Sequence, residues 1–153
     1  MSSTMPLSST PGEARRVNWG RFALVGVATV IAAVLANVLV YFIGSAIVGY
    51  DPEFIVLRDV SATILFTVVP AIAAVLLYAV LLRFTSNPAR TFTIIAAVVL
   101  IISLIPDVFY IPTVPGATGG QTAILSLMHV VAAVVIVWML TSFNQSQSRS
   151  HSS

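Results

Sequence analysis

Four long runs of hydrocarbon side chains, almost free of charge, fill most of this 153-residue chain. They extend from Phe22 to about Val48, from about Ser61 to Leu82, from Pro88 to about Ile105, and from about Thr122 to Ser142. About 20 helical residues, rising about 1.5 Å each, cross a hydrocarbon layer about 30 Å thick. No water is available in that layer to pair with N–H and C=O groups, so each run must satisfy its backbone internally as helix. The runs therefore predict an all-α fold, a bundle of four transmembrane helices embedded in the lipid bilayer. Composition agrees: 58% of residues are hydrophobic and 8% charged, where a soluble domain is roughly a quarter charged.

The remaining residues divide between tails and connections. Residues 1–20, MSSTMPLSSTPGEARRVNWG, carry Ser, Thr, Pro and Gly without apolar periodicity and are expected to be a disordered tail, as are residues 144–153. The transmembrane domain is expected over 21–143. A cleaved signal peptide is not expected, because the first apolar run far exceeds an h-region of about 7 to 15 residues and has no clear A-x-A site. Only RFTSN separates the second and third runs, a tight turn that predicts antiparallel neighbours. Asn87-Pro88 offers that third helix a cap and a first residue, and Pro106 a stop.

Charge placement sets an expected orientation. Arg15, Arg16, Arg21, Arg83, Arg90 and Arg149 fall at one side of the bundle and only Arg58 at the other, which also receives Asp51, Glu53, Asp59 and Asp107. The positive-inside rule then predicts that both termini are cytoplasmic, and the chain is expected in an inner (cytoplasmic) membrane. Scattered arginines without a basic stripe argue against nucleic-acid binding. The absence of cysteine removes disulfides and dithiol redox chemistry.

The outer connections differ in kind. In YDPEFIVLRDV, a capping Asp51-Pro52 is followed by Phe54, Ile55, Val56 and Leu57 set among charges, which predicts a short helix lying in the membrane interface. PDVFYIPTVPGATGGQ, with three prolines and three glycines, predicts an irregular loop. Its GATGG lacks a preceding strand and a following Lys, so it is not read as a phosphate cradle.

Polar side chains within the spans are few, and each marks either interhelical hydrogen bonding or a site. Asn37 should lie about 8 Å, and His129 about 10 Å, below the outer boundary. Tyr41 shares a helix face with Asn37, and Asp59 and Asp107 stand at the outer ends of the second and third spans. These five residues predict an outward-open polar pocket with Asn37 and His129 at its floor and the carboxylates at its mouth. His129 has no second in-span His or Cys to join it, so no metal site is expected, and no cofactor is indicated. Pro70 should kink the second helix and free a carbonyl. Ala28, Ala32 and Ala36 recur on one face of the first span, a pattern that lets another helix approach closely.

ANVLVYFIG in the first span, LLRFTSNPARTFTIIAAVVLIISLIPD across the second and third, and LMHVVAAVVIV in the fourth resemble an uncharacterised family of small four-pass bacterial membrane proteins, classed as a domain of unknown function. The resemblance covers roughly residues 21–142 and implies the four-helix membrane architecture; it brings no activity or cofactor. The expected function is a non-enzymatic packing or accessory protein, associating with itself or with a membrane partner. The alternatives are a small transporter or channel, or a lipid- or quinone-binding subunit using a pocket around His129. No central carboxylate of the proton-coupled exporter kind and no nucleophile motif accompanies these residues.

Overall fold

The computed structural model describes residues 17–149, with side-chain surroundings through Ser142. Residues 1–16 and 150–153 of the expected tails lie outside the described residues. Four helices form: α1 (Trp19–Val48), α2 (Val60–Phe84), α3 (Pro88–Phe109) and α4 (Gly119–Arg149), with a short 3-10 turn over Ile111–Thr113. Each of the four is long and apolar enough to cross a membrane, and no strand occurs among the described residues.

Local chemistry fixes where the helices begin and end. The Asn18 side chain accepts from the Arg21 N–H (3.0 Å), and the Asp59 carboxylate accepts from the Ser61 N–H (2.7 Å), so both satisfy first-turn donors that have no helical partner. Pro88 takes the first position of α3, where its missing N–H costs nothing. α1 stops at Gly49, whose φ of 64° favours glycine.

The start of α4 corrects the reading of PDVFYIPTVPGATGGQ as wholly irregular. Thr118 Oγ1 accepts from the Gln121 N–H at 3.3 Å, while Gln121 Oε1 accepts from the Thr118 N–H at 2.9 Å. This reciprocal capping box is signalled in the sequence by T-G-G-Q. α3 also differs, running a turn beyond Pro106. The proline removes only its own N–H, and its carbonyl still accepts from the Tyr110 N–H at 2.9 Å.

Packing runs in the order α2, α1, α4, α3. α1 contacts both α2 and α4, α4 also packs along α3, and contacts between α2 and α3 are sparse. The short turn over residues 85–87 joins α2 and α3 in antiparallel fashion, yet it does not make them a tightly packed pair. The close approaches are instead built into α1, whose buried stripe is Phe22, Gly26, Thr29, Ala33, Asn37, Tyr41 and Gly44. A Cβ on Gly26 would lie 2.8 Å from Val75 of α2, and one on Gly44 would lie 2.8 Å from Ile124 of α4 and 2.5 Å from the Tyr50 hydroxyl. Ala28, Ala32 and Ala36 are half-buried beside this stripe.

Two buried clusters result. One, toward the arginine-rich end, holds Phe22, Ala33, Ala71, Tyr78, Phe92 and Leu140; the rings of Tyr78 and Phe92 meet edge to face with centroids 5.0 Å apart. The other holds Tyr41, Phe54, Leu57, Ile111 and Met128. Phe54 and Leu57 come from the first outer connection, which is a series of turns and not the expected interfacial helix. Its two apolar side chains point into the bundle end, and Gly116 (φ 75°) of the second connection packs against the Phe54 backbone. The two outer connections thus close over one another.

Replacing Gly44 by Val should destabilise the purified protein by about 1–3 kcal/mol, because the added side chain meets Tyr50 and Ile124 with no space to enter. Leu24→Ala, on an exposed face, should stay within about 0.5 kcal/mol. Thermal unfolding in detergent compares the two, and equal losses would show that the Gly44 contact does not hold α1 to α4.

Candidate functional site: a lateral cavity with an aspartate–histidine pair

The sparse packing of α2 against α3 leaves a cavity of about 550 Å³ between α2, α3 and α4. Along α2 it reaches from Thr63 to Leu77, roughly 20 Å of helix at about 1.5 Å per residue. Val56 and Leu57 of the connection between α1 and α2 form the end of the cavity away from the arginine-rich end of the bundle, and Leu57 is fully buried there. Phe66 of α2 and Val99 of α3 line it yet are 70% and 56% exposed. The cavity therefore opens sideways between α2 and α3, toward the bilayer interior. Its walls are overwhelmingly apolar, so the few polar groups on them decide its chemistry.

Asp107 and His129 face one another across α3 and α4, with Asp107 Oδ2 2.9 Å from His129 Nδ1. Asp107 is 2% exposed and also accepts from the Ser126 hydroxyl at 3.2 Å. Continuation of α3 past Pro106 is what carries Asp107 into the helix and turns it onto α4. The Leu125 carbonyl lies 3.1 Å from the same His129 nitrogen. A carbonyl and a carboxylate can only accept, so Nδ1 carries the hydrogen and Nε2 is the bare nitrogen of the neutral ring. His129 lies on the cavity wall and is partly exposed.

A second polar group joins α1 to α2. The Thr67 hydroxyl donates to the Thr63 carbonyl (2.7 Å), a common arrangement for threonine within a helix. With its hydrogen committed, Thr67 Oγ1 accepts from the Asn37 amide at 3.0 Å. That fixes the amide orientation and leaves Asn37 Oδ1 buried without a partner; Thr63 Oγ1 is likewise unpartnered. Asn37, Thr63 and Thr67 all line the cavity, as does Pro70, whose missing N–H deprives the Phe66 carbonyl of its helical donor.

The five residues singled out from sequence thus separate. His129 and Asp107 pair, and Asn37 shares the cavity wall with His129. Tyr41 is buried on the same face of α1 as Asn37, but its hydroxyl donates to the Leu57 carbonyl (3.1 Å) and anchors the first outer connection. Asp59 caps α2 at an exposed position, and hydrogen bonds from Ser61 hold its carboxyl below the usual range. The pocket expected to open at the outer end is roofed there by Val56 and Leu57 and opens to the side. Thr63 and Thr67 were missed. Their signal was spacing: with Pro70 they put three hydrogen-bond-altering residues within two turns of one helix.

Residues 17–146 match the model of a family of unknown function, DUF6069. The chain belongs to that family. No curated protein and no solved structure matches it. Four membrane-length apolar helices make this member a multi-pass membrane protein, and the lateral cavity with its Asp107–His129 pair is the feature of the fold that a biochemical role can be built on.

Two outcomes test this geometry. With His151→Gln removing the other histidine, 15N spectra of neutral His129 should show Nδ1 protonated and Nε2 bare; the opposite tautomer would break the assignment. Tyr50, outside the helices, donates to the Tyr41 carbonyl at 2.8 Å, and burial, then the neighbouring Tyr41, pushes its phenol from 10.0 up to about 12. A folded-state value raised in this way gives stability that is complete below pH 10 and is lost as pH climbs toward 12. The free energy of unfolding measured across that window should fall less steeply for Tyr50→Phe than for the unsubstituted protein.

Proposed function

We propose that this protein is a non-enzymatic membrane protein that takes up a lipophilic molecule from the bilayer through the opening between α2 and α3. The observation that carries this reading is the cavity itself: about 550 Å³, apolar, open sideways, and bearing polar groups on its wall. Its volume lies within the range of about 300–1,000 Å³ typical of small-molecule sites. A cavity open to the hydrocarbon is entered without passing through water, so a molecule already dissolved in the membrane is its natural occupant. A buried carboxyl group in a membrane span is costly unless its oxygens find donors, and the hydrogens of His129 Nδ1 (2.9 Å) and the Ser126 hydroxyl (3.2 Å) on Asp107 Oδ2 hold a defined polar edge on an otherwise greasy wall.

The distribution of arginine supports cytoplasmic termini by the positive-inside rule, with the roofed end of the cavity outward. The half-buried Ala28, Ala32 and Ala36 on α1 leave room for a homo-oligomer or a partner helix beside this role.

The test is occupancy. A membrane-dissolved photoreactive hydrocarbon probe should label the cavity-lining residues of α2, α3 and α4 well above the exposed face of α1. Ala133→Trp, which places a large ring on the cavity wall, should suppress that labelling while the labelling of α1 persists. Equal labelling of both faces, insensitive to Ala133→Trp, would rule out uptake.

A further inference from the structure

The polar groups on the cavity wall share one property. His129 Nε2 is a bare acceptor in the neutral ring because Nδ1 is held by two acceptors, Asp107 Oδ2 at 2.9 Å and the Leu125 carbonyl at 3.1 Å. Asn37 Oδ1 is an acceptor without a partner, because the Asn37 amide is turned toward Thr67 by the commitment of the Thr67 hydrogen to the Thr63 carbonyl. The Phe66 carbonyl is an acceptor that Pro70 cannot serve. Only Thr63 Oγ1, unpartnered as well, can both donate and accept.

Asn37 is 4% exposed and Thr63 6% exposed. Buried polar atoms left unmatched carry a desolvation penalty that a suitable ligand removes on binding. A wall of acceptors is served by donors, and a hydrocarbon environment offers none.

From this asymmetry we infer that the lateral cavity selects lipophiles whose head carries a hydroxyl hydrogen-bond donor, whose one hydrogen would be given up to either His129 Nε2 or Asn37 Oδ1 while the chain fills the groove along α2. The inference rests on the uptake proposed above and adds the chemical class of the occupant. A ketone or ether of the same chain has only the Thr63 hydroxyl to accept from and leaves His129 Nε2 and Asn37 Oδ1 unmatched. A phospholipid with a choline head group has no donor to offer. A site that reads a hydroxyl rejects the analogue lacking it more strongly than a purely apolar pocket rejects a change of one methylene, because the wall's polar atoms are then left unpaired.

Three probes with the same diazirine-bearing chain, ending as a primary alcohol, its methyl ether and a methyl ketone, decide the matter on the full-length protein in phosphatidylcholine nanodiscs. Labelling of cavity residues is normalised to the exposed face of α1 in the same sample, which corrects for partitioning. The alcohol is expected to label the cavity at least tenfold more than the ether or the ketone, and this preference should weaken in His129→Leu or in Asn37→Ala and shrink toward unity when both are combined. Equal cavity labelling by all three probes would overturn the hydroxyl selectivity and leave uptake standing. Preference for the ketone would overturn it too, by showing that the wall donates. Cavity labelling no higher than that of α1 with any probe would instead remove uptake itself, and the selectivity with it. A hydroxyl preference surviving undiminished in the combined His129→Leu, Asn37→Ala variant, folded by circular dichroism, would show that the donor is read elsewhere, and the inference would fall.

Discussion

Hydrocarbon cannot accept or donate a hydrogen bond, and most of this structure follows from that one constraint. It compels four helices where the sequence is apolar, because only a helix satisfies a lone segment's backbone from within. The same constraint governs the helix ends, which reach for Asn18, Asp59 and the Thr118–Gln121 pair to meet the donors the first turn leaves open. It also explains the hydroxyls: Thr29, Thr67 and Thr141 each donate to the carbonyl four residues earlier instead of facing lipid. With nearly every polar group settled, the exceptions stand out, and Asn37 and Thr63 gather on one cavity wall.

Lipid also removes the usual reason for helices to associate, since a neighbouring helix is no greasier than the acyl chains. Packing must then come from close contact, and α1 supplies it at Gly26, Ala33 and Gly44. These positions draw α2 to one side of α1 and α4 to the other. α2 and α3 turn Ala73, Ala74 and Ala96 toward the space between them without closing on one another, so their short connection holds the ends together and leaves a seam above. The cavity is the space that these short side chains leave unfilled where α2 and α3 stand apart. The Asp107–His129 contact works in the other direction, tying α3 to α4 at the wall of the same cavity.

The architecture could be read from composition and run length because a span is a property of consecutive residues. Trp19, Phe22, Arg83 and Arg90 mark one end of the bundle as plainly in the sequence as in the structure. Candidate residues were legible to a lesser degree. His129, Asn37 and Asp107 stood out as polar groups in apolar surroundings, and two of them do meet. Tyr41 and Asp59 stood out for the same reason, but their hydrogen bonds are to the first outer connection and to the first turn of α2. Proximity along a helix or at a helix end therefore marked which side chains were unusual without marking what they touched.

What the chain determined by itself was the number of helices, their lengths and the placement of charge at their ends, because those depend on local chemistry and on the thickness of a hydrocarbon layer. What only the tertiary structure decided was which helices pack tightly, that Phe54 and Leu57 fold inward to roof the bundle, and that α3 carries Asp107 past Pro106 to His129. The side-opening cavity belongs to this second group. Each depends on small residues meeting large ones across helices far apart in sequence, and on a backbone carbonyl finding a donor beyond a proline, relations between surfaces that no single stretch of sequence contains.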